Sequence, residues 1–487
     1  MNLKHARSLV VAIAVMTGGA LAAQQTQSQK GAVVMKGRAP VSTNVLKVTL
    51  PRPVEADLAS GLHVMVLEDH RVPMVSFQIQ ILGAGGYFDP ADQIGLAQVT
   101  ASMMREGTAT RTTSQISEML ETKAASVGVS AGLSANAANV SGSSLAEQFG
   151  ETLALAADIL LHPTFPQEEL DRYKTRTRAG LVQQRSNPGF LASELFSRVM
   201  YGSHPAGRAS VTAEGLDKLT RDALVAFHKS HYVPDHAVIA IAGDITMAEA
   251  RKVIDAQLGG WAKAGTPAPV LADPPAPPAG QVLFVARPNS VQTSIWVGSP
   301  AITRTAPDYD IVTVMNAVIG GGPTGRLFTH LREEKGYTYG AYSNVAQVPY
   351  RGHWLATMDV RTEVTEPALT DLMAEIARMR NEAVPEKEFA DKKRGIIAGF
   401  ALSLESAQQV LGNYITRWVY KLPADYFDKL PDRIMAVTQA QVQEAAKKYF
   451  DPSRLQIVTV GDPAKIADVM KKFGPVTTYD TNGNVIK

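Results

Sequence analysis

Residues 232–244 read YVPDHAVIAIAGD, and residues 450–462 read FDPSRLQIVTVGD. In each stretch an aromatic residue precedes a proline by two positions, and an apolar run then ends in Gly-Asp. The spacing is constant, because 452 − 234 and 461 − 243 both equal 218. A second match, Pro166 to Gly180 against Pro385 to Gly399, has an offset of 219. Repetition in nearly one register over this length indicates that the chain is a duplication.

Each copy is expected to combine strands and helices. In the first copy, Gly61 to Glu68 and Met74 to Leu82 have the apolar patterns of strands. Ser114 to Val127, Phe149 to Leu161 and Gln167 to Gln184 have helical patterns. Strands followed by helices and then by more strands are typical of an α+β fold. We therefore predict two homologous α/β sandwich lobes, each a mainly antiparallel sheet covered by helices on one face.

The composition excludes several classes of protein. The 487 residues suit two to four domains and include no cysteine, so disulfides cannot contribute to stability. The 48 Lys and Arg residues nearly balance the 46 Asp and Glu residues, which leaves a net charge of +2. This balance provides no basic surface for nucleic acid and no polybasic segment for a membrane.

The N-terminus has the pattern of an export signal. Lys4 and Arg7 precede the apolar run Leu9 to Met16, and Ala20-Leu21-Ala22 supplies small residues for cleavage. Because a lipid anchor at the cleavage site would need a cysteine, we expect no membrane anchor. The predicted location is the periplasm of a Gram-negative cell, or the medium after secretion.

A proline-rich segment separates the two copies. Residues 264–280 contain Pro267, Pro269 and the run Pro274 to Pro278, which favours an extended, semi-rigid linker. The predicted organisation is a signal peptide (1–22), a flexible lead-in (23–45), an N-terminal lobe (46–263), the linker (264–280), a C-terminal lobe (281–475) and a loose tail (476–487).

Further landmarks occur in order along the first copy. They are Gly61-Leu62-His63-Val64, Gly83-Ala84-Gly85-Gly86, Gly95-Leu96-Ala97, Leu161-His162-Pro163-Thr164-Phe165-Pro166 and Tyr232-Val233-Pro234-Asp235. Together with the duplication, they make residues 45–473 resemble the pitrilysin/insulinase family of zinc metallopeptidases. The resemblance implies the mitochondrial-processing-peptidase-like metallohydrolase fold, in subunits of about this length built from two lobes.

The zinc motif of that family is degenerate in this chain. Active members carry H-x-x-E-H after Gly-Leu-Ala, with two histidines as zinc ligands and the glutamate as general base. Here the five positions read Gln98-Val99-Thr100-Ala101-Ser102. The position of the distal glutamate ligand falls near Gly180. Since Gln98, Ala101, Ser102 and Gly180 offer neither imidazole nor carboxylate, we expect no metal in this chain.

The second copy retains a different part of the family pattern. Gly320, Gly321 and Gly322 precede Leu331-Arg332-Glu333, and Tyr339 follows Arg332 by seven residues. By resemblance, Arg332 binds substrate carbonyls, and the Tyr339 hydroxyl donates to the oxyanion of the tetrahedral intermediate. Tyr337 is a rival tyrosine that is out of register. The three glycines are interpreted as a loop whose bare backbone lets a peptide approach, with a simple flexible turn as the alternative.

These features lead to a primary hypothesis and alternatives. The first is the non-zinc-binding subunit of a heterodimeric zinc metallopeptidase, in which a zinc-bearing paralogue holds the metal and Arg332 and Tyr339 complete its site on peptide substrates. The second is a catalytically inert pseudo-peptidase that binds peptides or acts as a scaffold in the cell envelope, with a homodimer as one form of it. The third, an independent peptidase with another metal site, would require zinc in the isolated chain.

Two smaller features of the sequence are more typical of structural roles. His228 and His231 suggest a metal pair, but no carboxylate lies in a matching position, which favours a structural role. Ser126 to Ser143 is rich in small residues, and an ordinary strand is favoured over a sheet edge that accepts a peptide.

Overall fold

The computed structural model describes residues 48–486. The predicted signal peptide and lead-in lie outside the described residues. Within the described part of the chain, no helix is long and apolar enough to cross a membrane.

The first half of the described chain forms a six-stranded sheet with the order β1-β2-β6-β3-β5-β4. Its strands are β1 (Val54–Asp57), β2 (His63–Glu68), β3 (Met74–Leu82), β4 (Ser126–Ala131), β5 (Ala137–Leu145) and β6 (Ala237–Gly243). Its helices are α1 (Leu96–Met103), α2 (Thr113–Thr122), α3 (Phe149–Leu161), α4 (Gln167–Gln184), α5 (Pro188–Tyr201), α6 (Ala213–Lys218), α7 (Arg221–His231) and α8 (Met247–Leu258).

The second half forms a seven-stranded sheet with the order β13-β12-β7-β11-β8-β10-β9. Its strands are β7 (Gln281–Ala286), β8 (Gln292–Pro300), β9 (Thr338–Val345), β10 (His353–Arg361), β11 (Gln456–Gly461), β12 (Val476–Tyr479) and β13 (Val485–Ile486). Its helices are α9 (Tyr309–Ile319), α10 (Arg326–Phe328), which continues as a π-helical segment (Thr329–Glu334), α11 (Thr365–Asn381), α12 (Glu386–Ser403), α13 (Ala407–Tyr420), α14 (Leu430–Ala436), α15 (Gln439–Tyr449) and α16 (Pro463–Met470).

The two sheets share the same central pairing and register. In the first sheet β2 is parallel to β6 with His63 opposite Val238, and in the second β7 is parallel to β11 with Gln281 opposite Gln456. Each residue of the second pair is 218 positions after its counterpart (281 − 63 and 456 − 238). The strand pairs on the other side of β6 and β11 are antiparallel in both sheets, whereas β12 adds a second parallel pair on β7. The predicted α+β fold of two homologous sandwiches, each with a mainly antiparallel sheet, is therefore confirmed.

The prediction that helices cover one face of each sheet is wrong, because both faces are covered and the second cover comes from the other copy. Val64 and Val66 of β2 join a core with α1 and α3, whereas Met65 and Leu67 face the opposite side. That opposite face packs against Val410, Leu411, Tyr414 and Ile415 of α13. In return, Leu191, Leu195 and Phe196 of α5 pack on Leu283, Val458 and Val460 of the second sheet. The copies therefore exchange a helix, which explains the long apolar runs of β6 and β11, because these strands are buried on both faces.

Two segments differ from the sequence-based prediction. The helix predicted over Ser114 to Val127 ends at Thr122, and Ser126 and Val127 belong to β4. Ala124 has a φ of 47°, a left-handed conformation that a helix cannot continue through. Within the predicted tail, β12 pairs with β7 and β13 pairs with β12, so part of this segment extends the second sheet.

Candidate functional site: an arginine–tyrosine pair on a chain with a degenerate zinc position

The degenerate zinc motif forms an ordinary helical turn of α1. Gln98 is exposed, and the Ser102 hydroxyl donates a hydrogen bond to the Gln98 carbonyl oxygen at 2.9 Å. Ala101 is fully buried in the first core. An amide, a hydroxyl and a methyl group are not donors that hold zinc, because zinc prefers imidazole, thiolate and carboxylate ligands. The residues present therefore do not fit the metal.

Gly180 brings no ligand to this position. It lies on the exposed part of α4, and a side chain built there would meet nothing within 4 Å. Over residues 48–486, no group of three or more His, Cys, Asp or Glu side chains is arranged to hold a metal ion.

The histidine pair of α7 has other partners. The rings of His228 and His231 each bond to a backbone carbonyl oxygen, that of Leu160 and that of Gly83, both at 2.7 Å. Burial lowers the pKa of both histidines, so their neutral forms are favoured. These contacts attach α7 to neighbouring segments and give the pair a structural role.

The structure brings Arg332 and Tyr339 together. The Arg332 guanidinium carbon lies 4.8 Å from the centre of the Tyr339 ring and 4.8 Å from the centre of the Phe328 ring. Such distances are typical of cation–π contacts. Tyr339 is 87% exposed, so its hydroxyl group is open to a ligand or another chain. The rival Tyr337 is partly buried against the second core, which is a packing role.

Arg332 sits on an irregular helical segment. Its turn is π-helical, with the backbone N–H of Lys335 donating to the carbonyl of His330. Single π-helical turns often occur at functional sites. The ion pair of Arg332 in the described structure is with Glu333, at 3.5 Å between Nε and Oε1. Because Glu333 is itself largely exposed, the guanidinium keeps donors that can bind a substrate carbonyl.

The three glycines before this segment have different surroundings. Gly320 ends α9, and its carbonyl accepts a hydrogen bond from the backbone N–H of Ser343 on β9 at 2.8 Å. A Cβ on Gly320 would lie 2.6 Å from Ser343 Oγ, so this close approach needs glycine. At Gly322 a side chain would meet nothing within 4 Å. Packing therefore accounts for Gly320, and substrate contact by Gly321 and Gly322 stays a prediction.

Sequence reasoning missed the residues that fix this loop. Arg326 makes a bidentate ion pair with Glu388 of α12, at 2.9 Å and 2.8 Å. One turn further along α12, Lys392 donates to the carbonyl and hydroxyl oxygens of Thr324. The spacing of Glu388 and Lys392 shows only that they share a helix face. Their partners are 62 and 68 residues away, so no local pattern could have identified them.

The edge of the first sheet fits an ordinary strand. Ser126 and Ser143 belong to β4 and β5, and their hydroxyl groups lie 2.9 Å apart. Strand β4 is the edge strand and pairs with β5 without a register shift.

Fold and site together define a two-lobed zinc-peptidase architecture whose own metal position lacks ligands. Two family models match the chain: "Insulinase (Peptidase family M16)" over residues 63–213 and "Peptidase M16 inactive domain" over residues 218–396. Together these ranges cover more than half of the chain. The chain belongs to the M16 (insulinase) family.

Individual relatives agree with this placement. The non-peptidase homolog YmxG of Helicobacter pylori is 22% identical over 402 residues, which cover 82% of this chain and 91% of the relative. A Bacillus subtilis protein described as an uncharacterized zinc protease is 23% identical, and the matched region covers 80% of this chain and 94% of that protein. A crystal structure of a peptidase M16 inactive domain from Pseudomonas fluorescens is 29% identical, with a TM-score of 0.75 over 84% of this chain and 98% of that one. These similarities support an inactive member of the family.

Proposed function

We propose that this chain is the non-zinc-binding subunit of a two-chain zinc metallopeptidase. It closes a chamber for peptide substrates together with a paralogous partner, and it supplies Arg332 and Tyr339 to the zinc site of that partner. The observation that carries this proposal is a contrast within one chain: the zinc position has no ligands, whereas Arg332 contacts the exposed Tyr339 and has its ion pair with the exposed Glu333.

The chemistry of the pair fits peptide hydrolysis. Zinc held by the partner would activate a water molecule and polarise the peptide carbonyl. Tyr339 can donate its hydroxyl hydrogen to the oxygen on which negative charge develops, and this contact strengthens in the transition state. The Arg332 guanidinium offers several N–H donors in one plane, which suits neighbouring carbonyl oxygens of an extended peptide.

The proposed location of this activity is based on the export-signal pattern at the N-terminus. An exported pair of chains would meet short or unfolded peptides in the periplasm, or outside the cell after secretion. The zinc-bearing paralogue is the partner that the chemistry requires, and a homodimer would leave both zinc positions without ligands.

The direct test is reconstitution with a zinc-bearing paralogue exported by the same organism. Cleavage of a quenched fluorescent peptide is measured with the paralogue alone and with wild type, Arg332→Ala or Tyr339→Phe added. Wild type should stimulate cleavage, and each variant should lower kcat by about 100-fold or more, as loss of an oxyanion donor does elsewhere.

The chain offers a matched control for this experiment. Arg198 and Tyr479 form another arginine–tyrosine contact, 5.4 Å from guanidinium carbon to ring centre, at the opposite side of the second sheet. The double variant Arg198→Ala/Tyr479→Phe should stimulate like wild type. Equal stimulation by wild type, Arg332→Ala and Tyr339→Phe would sink the shared-site proposal.

An inert, peptide-binding pseudo-peptidase is the second candidate. It is favoured by the missing ligands and by the name of the Helicobacter pylori relative, a non-peptidase homolog. It predicts that labelled peptides bind this chain while no exported paralogue cleaves them faster in its presence.

A further inference from the structure

The strand that carries Tyr339 contains one extra residue. β9 pairs with β10 so that Ala341 is opposite Met358 and Thr338 is opposite Val360. Between these two pairs β10 has a single residue, Asp359, whereas β9 has Tyr339 and Gly340. Two residues opposite one is the definition of a β-bulge, a feature that redirects side chains and is frequent beside active sites.

The corresponding hairpin of the first sheet is regular. β4 and β5 pair without interruption from Ser126 opposite Ser143 to Ala131 opposite Ala138. Of these two equivalent hairpins, only the one that carries the arginine–tyrosine pair is bulged. The bulge is therefore not a requirement of the fold.

The bulge decides where the Tyr339 side chain points. Side chains alternate between the two faces of a strand, and Ala341 and Met358 are both buried in the second core. If the ladder continued regularly, Tyr339 would lie opposite Val360, which is fully buried, and its ring would point into the core. The extra residue instead places Tyr339 on the side of the exposed Asp359, and Tyr339 reaches solvent and Arg332.

Thr338 and Gly340 hold the irregular backbone. The Thr338 hydroxyl accepts a hydrogen bond from the Gly340 N–H at 3.1 Å, and it lies 2.7 Å from the Asp359 carbonyl oxygen, to which it donates. A bulge leaves backbone groups without ladder partners, and one hydroxyl group supplies partners here on both strands. A Cβ on Gly340 would lie 2.6 Å from the Tyr342 ring, so glycine lets that ring pack over the bulge.

From this geometry we infer that Thr338 and Gly340 are positioning residues for Tyr339. The hydroxyl of Thr338 holds the bulge, the bulge turns the Tyr339 ring outward onto the Arg332 guanidinium, and the tyrosine hydroxyl is thereby fixed for the partner's site. The catalytic meaning of this arrangement rests on the proposed function, whereas the arrangement itself can be tested in the isolated chain.

The first measurement uses the isolated chain. The Nε–H resonance of Arg332, identified by its loss in Arg332→Lys, should be shifted by the ring currents of Phe328 and Tyr339, because the guanidinium lies over both rings. Tyr339→Leu gives the value without the second ring. Thr338→Val, which keeps the shape but removes the hydroxyl, should move the resonance at least half way to that value. Thr338→Ser, which keeps the hydroxyl, should leave it in place.

Two further variants control for the general effect of losing a hydroxyl group and for failure of the protein to fold. Thr478→Val, at a half-buried threonine of β12, controls for loss of a hydroxyl elsewhere in the same sheet. If Thr338→Val does not fold, as judged by thermal unfolding, Thr338→Ala is measured instead. If the variant that lacks the Thr338 hydroxyl folds and its Arg332 resonance has the same chemical shift as in wild type, the inference is overturned.

The second measurement uses the reconstituted peptidase. Thr338→Val should lower the stimulated kcat about tenfold with little change in KM, and Thr338→Ser should restore it. If Tyr339→Phe lowers the stimulated kcat but Thr338→Val leaves it at the wild-type value, the positioning role is refuted. If Tyr339→Phe itself stimulates like wild type, the proposed function fails, and the Arg332 resonance still decides whether Thr338 orients the ring.

Discussion

At the residue scale, the N-terminus of α1 is bound by a buried carboxylate, although the helix lacks the family's zinc ligands. The buried carboxylate of Asp89 accepts hydrogen bonds from the backbone N–H groups of Gly95 at 2.6 Å and Ala97 at 2.8 Å. These are donors that the first turn of a helix leaves without intrahelical partners. Burial raises the pKa of the Asp89 carboxyl to about 6, although these hydrogen bonds and Arg208 oppose the shift. The helix that carries Gln98 and Ser102 is therefore held by a buried acid.

This pKa predicts how stability depends on pH. Because the folded pKa of Asp89 lies above the unfolded value, its contribution is fully present below about pH 4 and is lost as pH rises through about 6. Between pH 4 and 7, the free energy of unfolding of wild type should fall relative to Asp89→Asn by on the order of 2–3 kcal/mol. Denaturant unfolding at several pH values measures this difference. The exposed Asp92→Asn serves as control, and parallel curves for wild type and Asp89→Asn would contradict the prediction.

At the element scale, α5 of the first copy packs on the sheet of the second copy, where a large side chain lies against a glycine. Phe196 is buried beside Gly298 of β8, where a Cβ would lie 2.5 Å from the ring. The equivalent positions are Gln80 of the first sheet, 218 residues before Gly298, and Ile415 of α13, 219 residues after Phe196, and both line one cavity of about 380 Å³. The two exchanged helices therefore occupy equivalent places with different packing.

The contact of α5 gives a second prediction. Phe196→Ala should lower the free energy of unfolding by about 3–5 kcal/mol, the usual cost of removing a buried phenylalanine. Hydrogen exchange should increase in β8 and β11 of the second sheet, although the substitution lies in the first copy. Phe190→Ala, at a partly buried position of the same helix, is the matched control and should cost less. Faster exchange confined to the first sheet would contradict the exchanged packing.

At the scale of the whole molecule, the exchanged helices hold the two copies together independently of the linker. Residues 262–280 contain no helix or strand, and Val270 within them is strongly exposed. The copies also meet in a buried aromatic cluster, where the Tyr87 and Tyr350 hydroxyl oxygens lie 2.5 Å apart. The covalent connection is therefore one link among several.

Cutting the linker should leave the molecule assembled. With a protease site inserted after Val270, cleavage should yield two fragments that elute together at the size of the intact chain. They should separate only in denaturant, because separation would expose the apolar faces of α5 and α13. The same protein without protease is the control, and fragments that elute apart after cleavage would contradict the prediction.

The sequence by itself determined the duplication, the α+β fold and the loss of zinc ligands. These are visible because a repeat at an offset of 218, strand and helix periodicity, and the identity of the residues at 98–102 are properties of local order along the chain. The resemblance to the family predicted Arg332 and Tyr339 as a pair, seven residues apart, but not the contact between them.

Tertiary structure alone decided what holds that pair and how the copies are joined. Whether Tyr339 points outward depends on a register shift opposite Asp359, and the Gly-rich loop depends on Glu388 and Lys392 of a distant helix. The exchange of α5 and α13 likewise leaves no local trace, because an apolar helix face has the same pattern whichever sheet it covers. Contacts between residues far apart in sequence are fixed by packing of the whole chain, and they set the geometry of the site.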